Sequence, residues 1–445
     1  MEQQKSTGSF YIESLGCAKN SVDSRSMAEL LTRAGYKESE SPEYASIVIV
    51  NTCGFILPAR EESMRTLRGF AAVKPAGQIL IAAGCLSEKE KHRLVDEIEG
   101  LDAAFGTRRW ADILRVVEKT RQQPASPYLH FPDTAVIQES DQKVARVAVQ
   151  GGSAYLKIAD GCDRGCAFCA IPLIKGPMVS RSVQSILDDA LLLQEKNVKE
   201  IILIAQDSTA YGRDLGMRDG LPLLLEELVK TVPNVPWLRV MYTFPGAVSD
   251  DLIRVMAEQS QVLPYLDIPL QHAHPDVLRR MRRPADIQVV RDTITKVRSV
   301  IPEVALRTTF IVGFPDETES EFQYLLDFLV EMRFDHVGIF PYYHEEGTSA
   351  YNNKDSISSE LKEERIQRLA AAQEEISLEI NIRFIGKTIE VLIEGNGDDI
   401  SAGRSYRDAP EIDGLVMFDE VIPVGSLVKG QVSGALVHDL IAKMQ

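Results

Sequence analysis

The arrangement of the six cysteines restricts what this 445-residue chain can fold into more than any other feature of its sequence. The cysteines form one dispersed and one contiguous set of three, with none left over: Cys17, Cys53 and Cys85, then Cys162, Cys166 and Cys169. A large chain with so few cysteines is not a disulfide-framework protein, and such sets favour metal or redox chemistry.

The composition is that of an ordinary globular protein of about three domains. Apolar residues make up 44% and charged residues 26%, and no apolar run reaches the length of a membrane-spanning helix. The first ten residues lack the apolar stretch of a secretory signal, so we expect a cytoplasmic protein without membrane contact. The net charge of −16 disfavours non-specific nucleic-acid binding, although a local basic patch could still bind RNA.

The N-terminal part alternates strand and helix patterns and therefore predicts an α/β domain with a parallel sheet. Strands are predicted at 9–14, 47–51 and 79–83, and helices at 23–34 and 59–71. A further helix is predicted up to residue 98, with Ser87 as its N-cap and Glu90 completing a capping box.

The dispersed cysteines each follow one of these strands, beside Gly16, Gly54 and Gly84. The carboxyl ends of parallel strands share one edge of a sheet, where ligands bind. We therefore expect the three thiols to converge; the alternative is three separate buried apolar thiols.

A longer strand–helix series follows a polar, proline-containing connector at 120–143. Its strands are predicted at 154–159, 200–205, 238–242, 265–269, 306–312 and 337–340, and its helices at 183–196, 221–232, 287–300 and 319–332. Six β/α units predict an open barrel with the active site at the carboxyl ends of its strands. After a charged helix at 358–383, β runs at 388–393, 414–418 and 427–431 predict a small all-β barrel.

The contiguous set has the spacing C-x3-C-x2-C and directly follows the first barrel strand. Three thiolates suit a soft metal centre, but a closed zinc site needs four ligands, and no fourth cysteine or histidine lies nearby. A four-iron cluster held by three cysteines keeps one iron open.

This motif, with Phe168 before the last cysteine, resembles that of the radical SAM (S-adenosylmethionine) enzymes. The resemblance implies a [4Fe–4S] cluster whose open iron binds SAM and whose electron cleaves SAM to a 5′-deoxyadenosyl radical. Gly313 lies in a segment similar to the one that contacts the SAM adenine in that class.

Four further polar residues follow or lie on barrel strands and are candidates for the barrel mouth: Gln206, Asp207, Gln271 and Arg307. The residues expected to bind SAM are Phe168, Gln206, Gln271, Arg307 and Gly313. Arg307 could pair with a carboxylate, and for all four the alternative is a satisfied polar residue at a strand end. His272 and His274 are interpreted as polar lining or surface rather than as metal ligands.

Both cysteine sets together resemble the methylthiotransferases, over nearly all of the chain. The resemblance implies a second [4Fe–4S] cluster on Cys17, Cys53 and Cys85, which carries the sulfur, and one on Cys162, Cys166 and Cys169. The implied domains are residues 8–122 (auxiliary cluster), a linker at 123–145, the radical SAM barrel at 146–382 and a TRAM barrel at 383–445.

The family has a branch that modifies an isopentenylated adenosine of tRNA and one that modifies the β-carbon of an aspartate in small-subunit ribosomal protein S-twelve. The second is favoured because residues 177–179 lack the glutamate usual in the tRNA branch, and because 404–413 resembles its TRAM signature. Residues 381–445 carry six Lys/Arg and ten Asp/Glu, which suits a basic protein partner better than tRNA. The alternatives are the tRNA-modifying enzyme and a non-catalytic iron–sulfur or zinc-binding RNA adaptor. A radical SAM enzyme of either branch also needs a low-potential electron donor.

Overall fold

The computed structural model describes residues 8–123, 126–133 and 143–445. The chain divides into two compact units. Unit 1 contains the described residues up to 148 together with 159–165 and 169–179, and unit 2 contains 149–158, 166–168 and 180–445. The predicted linker at 123–145 lies partly outside the described residues, and its described part contains a short strand, Tyr128–His130.

The strands are numbered along the chain. They are β1 Ser9–Ser14, β2 Lys37–Glu38, β3 Ile47–Thr52, β4 Ile79–Gly84, β5 Ala103–Phe105, β6 Tyr128–His130, β7 Val147–Gln150, β8 Ser153–Lys157, β9 Ala159–Asp160, β10 Val179–Ser180, β11 Glu200–Ile204, β12 Trp237–Val240, β13 Tyr265–Asp267, β14 Ala305–Val312, β15 His336–Pro341, β16 Thr388–Asn396, β17 Ser401–Arg404, β18 Val416–Phe418, β19 Leu427–Ala435 and β20 Leu440–Met444.

The α-helices are numbered in the same way. They are α1 Ala18–Arg33, α2 Leu57–Val73, α3 Cys85–Glu90, α4 Arg93–Glu97, α5 Ile113–Gln122, α6 Ile171–Lys175, α7 Val183–Glu195, α8 Gly220–Thr231, α9 Asp250–Glu258, α10 Pro275–Arg280, α11 Ile287–Val300, α12 Glu319–Met332 and α13 Ser359–Ile382. None of these helices is long and apolar enough to cross a lipid bilayer.

Unit 1 contains a parallel sheet with the strand order β2-β1-β3-β4-β5-β6. Its central strand β3 is buried along its whole length, as expected for an apolar, β-branched run covered on both faces. Two apolar cores lie on the two sides of the sheet, one around Phe10 and Trp110 and the other around Met64 and Leu86. The predicted α/β domain is therefore present.

The prediction of a helix capped by Ser87 is wrong. The helix starts at Cys85, directly after Gly84, and Ser87 is buried inside its first turn. The chain turns at Lys91, whose φ of 49° ends α3, so that two short helices replace one long one. Glu90 does not complete a capping box; it accepts a hydrogen bond from Arg60 Nε at 2.9 Å.

Unit 2 contains the six predicted barrel strands. Parallel ladders join β8, β11 and β12 on one side and β13, β14 and β15 on the other. The two halves are connected where Leu238 bridges Val262 and where the Thr243 N–H donates to the Asp267 carbonyl at 3.0 Å. The helices α7, α8, α9 and α11 pack in succession against one another outside the strands. The result is the open (β/α)6 barrel expected from the sequence.

The C-terminal part of unit 2 is a closed five-stranded barrel with the order β16-β17-β18-β20-β19. Its core contains Val391, Val416 and Phe418. A buried ionic cluster joins it to the larger barrel: Glu200 on β11 accepts from Arg239 and from Arg404, each at 2.6 Å. Burial opposes the charge on Glu200, but the two guanidinium groups outweigh it and lower the pKa of this carboxyl to about 2.

Candidate active site

The three dispersed cysteines lie at the carboxyl edge of the unit 1 sheet. Cys17 is the N-cap of α1, Cys53 directly follows β3, and Cys85 is the first residue of α3 after β4. β3 and β4 pair in register up to Thr52 and Gly84, so Cys53 and Cys85 leave the sheet side by side. Cys17 is exposed, whereas Cys53 and Cys85 are at most 9% exposed.

Close packing and one amide hold the loops that carry these thiols. Gly16 has a φ of +90°, and a Cβ added there would lie 2.8 Å from the Cys53 sulfur. The Asn20 amide donates to the carbonyls of Leu15 and Thr52, at 2.9 and 3.1 Å. The same side chain accepts from the Cys85 thiol, with Sγ 3.7 Å from Oδ1. The structure thus brings the dispersed set together.

Burial disfavours the thiolate form of two of these cysteines. It raises the pKa of Cys53, and it raises the pKa of Cys85 to about 12. The Lys175 ammonium opposes both shifts, and a charged Cys17 would add to them. Two buried thiols and one exposed thiol at the sheet edge form a soft donor set that fits a four-iron cluster. Binding of the cluster would displace the thiol protons.

Part of the contiguous set belongs to the same unit. Cys162 and Cys169 lie in unit 1, where the Cys162 N–H donates to the Gly176 carbonyl at 3.1 Å. Cys85 packs against Ala170, the residue after Cys169, and against Ile174 on α6. The segment that carries Cys169 therefore lies against a cysteine of the dispersed set.

The remaining residues of the motif belong to unit 2. The Arg283 guanidinium donates to the Cys166 sulfur, with Nη1 3.5 Å from Sγ. Phe168 packs against a small apolar cluster that includes Phe314 and Tyr342. These contacts anchor Cys166 and Phe168 to segments that follow the fourth, fifth and sixth barrel strands.

Three of the predicted SAM-binding residues follow barrel strands in unit 2. Gln206 comes two residues after β11, and its buried Oε1 has no hydrogen-bond partner among the described residues, as expected for a group that contacts a ligand. Gln271 has a φ of 75° and exchanges backbone hydrogen bonds with Thr309 and Ile311, each 2.7 Å long. Gly313 follows β14 directly, with a φ of 72°, and its N–H donates to the Glu317 carboxylate.

Arg307 has the carboxylate partner that the sequence suggested, but inside the protein. Its guanidinium donates to Asp267 at 3.1 Å and to Asp413, from the C-terminal barrel, at 3.3 Å. Arg307 is the third residue of β14 and so lies in the amino-terminal half of that strand. Asp207 is buried and accepts from the Thr209 hydroxyl at 2.5 Å, which makes it a satisfied strand-end carboxylate.

The two histidines have structural partners. His272 is fully buried and accepts from the His274 N–H at Nδ1, at 2.9 Å, while its Nε2 lies 3.5 Å from Glu317. His274 Nδ1 caps α10 by accepting from the Asp276 N–H. His274, Asp276 and Glu321 bring possible ligand atoms within 4.8 Å of one another. Arg280 donates to both oxygens of Glu321, at 2.9 and 3.1 Å, so this carboxylate already has a cationic partner.

Sequence reasoning did not identify three residues that touch the cysteine loops. Asn20 and Arg283 contact cysteine sulfur atoms directly, and Lys175 is fully buried beside the dispersed set. Asn20 is three residues after Cys17, a position from which a side chain on the first helical turn can reach the preceding loop. Arg283 has no comparable signal, because it is distant from the motif in sequence.

Three family models match successive parts of the chain. The uncharacterized protein family UPF0004 matches residues 9–106, the radical SAM superfamily matches 156–329, and the TRAM domain matches 385–444. Among solved structures, the chain is similar to the radical SAM methyltransferase TsrM from Kitasatospora setae, with a TM-score of 0.55 at 11% identity over 88% of this chain and 80% of that one. The cobalamin-dependent radical SAM enzyme OxsB gives a TM-score of 0.52 at 11% identity, over 83% and 56% of the two chains. At these identities the likeness shows the fold alone.

Curated relatives are much more similar. The ribosomal protein uS12 methylthiotransferase RimO of Roseiflexus sp. (strain RS-1) is 44% identical over 98% of this chain and 97% of its own length. RimO of Thermoanaerobacter sp. (strain X514) is 41% identical over 97% and 99% of the two chains. RimO of Synechocystis sp. is 41% identical over 94% and 95%.

Fold, cysteine sets and relatives together define a radical SAM methylthiotransferase. Enzymes of this class use SAM and two [4Fe–4S] clusters, and each set of three thiols is a soft donor set of the kind that binds such a cluster. Within the class, the chain belongs to the RimO family of ribosomal protein uS12 methylthiotransferases.

Proposed function

We propose that this protein replaces a β-C–H bond of one aspartate in ribosomal protein uS12, the S-twelve protein of the small subunit, with a C–S–CH3 group. The packing of Cys85 against the residue that follows Cys169 carries the proposal, because sulfur insertion needs the two cysteine sets to be neighbours. The relatives that cover nearly the whole chain support uS12, rather than tRNA, as the substrate.

The residues of the chain have separate tasks in this proposal. Cys162, Cys166 and Cys169 hold one cluster and leave one iron for SAM; Cys17, Cys53 and Cys85 hold the auxiliary cluster. When bound, the clusters and SAM supply a radical that removes hydrogen from an unactivated carbon, together with the sulfur and the methyl group. The protein itself binds and orients SAM and the substrate and excludes water from them.

Four residues of unit 2 are proposed to bind SAM. The buried Gln206 Oε1 has the clearest support, because it accepts no hydrogen bond among the described residues. Phe168 lies within the cysteine motif, and Gln271 lies at a strand end. Gly313 follows β14 directly, and a Cβ there would meet the Lys362 side chain, so only glycine fits this position. Arg307 is better explained as the ion-pair partner of Asp267 and Asp413 than as a SAM ligand.

The proposal also includes the domain bounds 8–122, 123–145, 146–382 and 383–445, a low-potential electron donor, a cytoplasmic location and no direct tRNA substrate. The relatives' shared uS12 substrate and the acidic balance of residues 381–445 support the last point.

Direct assay of both substrates tests the proposal. Protein reconstituted anaerobically with iron and sulfide is incubated with SAM, a reductant and either a uS12 peptide or isopentenylated tRNA. We expect the peptide to gain the mass of one methylthio group less one hydrogen, on aspartate, and the tRNA to stay unchanged. A gain on adenosine instead would establish the tRNA enzyme, and the absence of 5′-deoxyadenosine under reducing conditions would favour a non-catalytic adaptor.

A further inference from the structure

Four charged side chains form a buried network in unit 1 that the chemistry described so far does not use. Lys175 Nζ lies 3.2 Å from Asp23 and 3.3 Å from Asp160. Arg146 pairs with the same two carboxylates, at 2.5 and 3.4 Å, and its guanidinium stacks on the Trp110 ring. All four side chains are less than a tenth exposed. Burial of four charges needs nearly complete pairing, which this arrangement supplies.

The network connects the segments that carry both cysteine sets. Asp23 lies on α1, whose N-cap is Cys17, and Asp160 lies two residues before Cys162. Lys175 ends α6, the helix that begins shortly after Cys169 and packs against Cys85 through Ile174. A side-chain hydrogen bond adds to this attachment, since Arg108 Nε donates to the carbonyl of Ile174 at 2.8 Å.

Lys175 is also a cation that acts on the dispersed thiols. Burial disfavours its charge, but Asp160 and Asp23, and then the charged forms of Cys85 and Cys17, outweigh this and raise the pKa of the ammonium. In return, Lys175 opposes the burial effect at Cys53 and Cys85. A permanent positive charge near three thiolates offsets part of the negative charge of a cluster bound to them.

We propose that Lys175 is a positioning residue for the auxiliary cluster on the dispersed cysteines. Its ammonium, held by Asp23 and Asp160, offsets the negative charge of that cluster. The same ion pairs fix α6, the helix that follows Cys169, against the cluster. The inference rests on the proposed two-cluster function. It has two consequences. Removal of the charge makes the auxiliary cluster harder to reduce, and loss of the attachment separates SAM cleavage from sulfur insertion.

Two substitutions separate charge from mere packing. Lys175→Gln keeps a polar side chain of similar reach without the charge, Lys175→Arg keeps the charge, and Lys37→Gln on the exposed edge strand β2 is the matched control. The midpoint potential of the auxiliary cluster is measured by EPR-monitored redox titration of the full chain in which Cys162, Cys166 and Cys169 are replaced by Ala. The ratio of 5′-deoxyadenosine to methylthiolated product is measured with all six cysteines present.

For Lys175→Gln we expect a more negative midpoint potential and a ratio about tenfold higher than in the parent protein. Lys175→Arg should restore both values towards the parent, and Lys37→Gln should change neither. If Lys175→Gln fails to bind auxiliary iron while Lys175→Arg binds it, the charge is required for assembly and the proposal stands.

An unchanged midpoint potential in Lys175→Gln would overturn the inference. Equal loss of auxiliary iron, or equal shifts of the potential, in Lys175→Gln and Lys175→Arg would also overturn it, because packing alone would then explain the residue. If the parent protein does not modify uS12, the proposed function fails. The shift in midpoint potential still tests Lys175 in that case, because it needs no substrate.

Discussion

The two cysteine sets reach a similar donor chemistry by opposite routes. Cys17, Cys53 and Cys85 come from three separate loops and meet only because β1, β3 and β4 are adjacent parallel strands. Cys162, Cys166 and Cys169 share one loop, which can enclose a cluster without help from a sheet. A dispersed site therefore depends on the whole domain for its geometry, whereas a contiguous site depends on the anchoring of a single loop.

Exchange of the cysteines gives the largest expected effect and separates the two sites most sharply. Replacement of Cys162, Cys166 or Cys169 by Ala should abolish SAM cleavage, because the open iron that binds SAM is lost. Replacement of Cys17, Cys53 or Cys85 by Ala should leave cleavage intact and stop sulfur insertion. Both are measured by chromatography of 5′-deoxyadenosine and mass spectrometry of the uS12 peptide.

The iron content provides the control for these variants. The parent protein should bind about eight irons and each single variant about four. A parent protein that binds only about four irons after anaerobic reconstitution would contradict the two-cluster assignment for either site.

A matched pair of glycines tests whether each loop tolerates a small displacement. Gly16 and Gly161 both have positive φ and both precede a cysteine; a Cβ would meet the Cys53 sulfur at the first and the Pro177 carbonyl at the second. Gly16→Ala should lower auxiliary iron with SAM cleavage preserved. Gly161→Ala should retain auxiliary iron and lower the rate of SAM cleavage by about a hundredfold, since small misplacements cost that much.

The glycine variants can also show that the two cysteine sites do not behave independently. Equal loss of both clusters in either variant would mean that the two loops form one cooperative element. Circular dichroism of each variant excludes general unfolding as the cause.

The smallest expected effect concerns SAM binding in unit 2 alone. Gln206→Leu removes the unpartnered buried amide oxygen, so KM for SAM should rise by about tenfold with little change in kcat, as for the loss of one ligand hydrogen bond. Gln288→Leu, on the exposed face of α11, is the control. An unchanged KM in Gln206→Leu would remove Gln206 from the SAM site.

The sequence was most informative where a pattern is long or local. The bounds predicted for α11 and α12 agree with the structure, because each helix has a periodic apolar face and a clear N-cap, Asp286 or Thr318. The short strands β5 and β17 were not predicted, since three or four residues show no periodicity. Capping at Ser87 was wrong because the turn at Gly84 and Cys85 determines the start of the helix.

The same distinction applies to the candidate site. Cysteines at strand ends follow from the alternation of β and α elements, and a motif within one loop is visible directly. The contacts that support them come from distant residues: Lys175 meets Asp23 across 152 positions, and Arg283 meets Cys166 across 117. No local spacing encodes such pairs, and Arg307 acquires its second carboxylate only because the terminal barrel supplies Asp413.

The ionic cluster around Glu200 makes the terminal barrel inseparable from its neighbour. Arg404 supplies one of the two cations of Glu200, and Arg239 donates in return to the Tyr406 carbonyl at 2.8 Å. A chain truncated before β16 would leave a carboxylate and a guanidinium deep in the floor of the larger barrel with half of their partners gone. Chimeras that exchange the C-terminal barrel between relatives must therefore also carry the residues of the larger barrel that pair with it, Glu200 and Arg239.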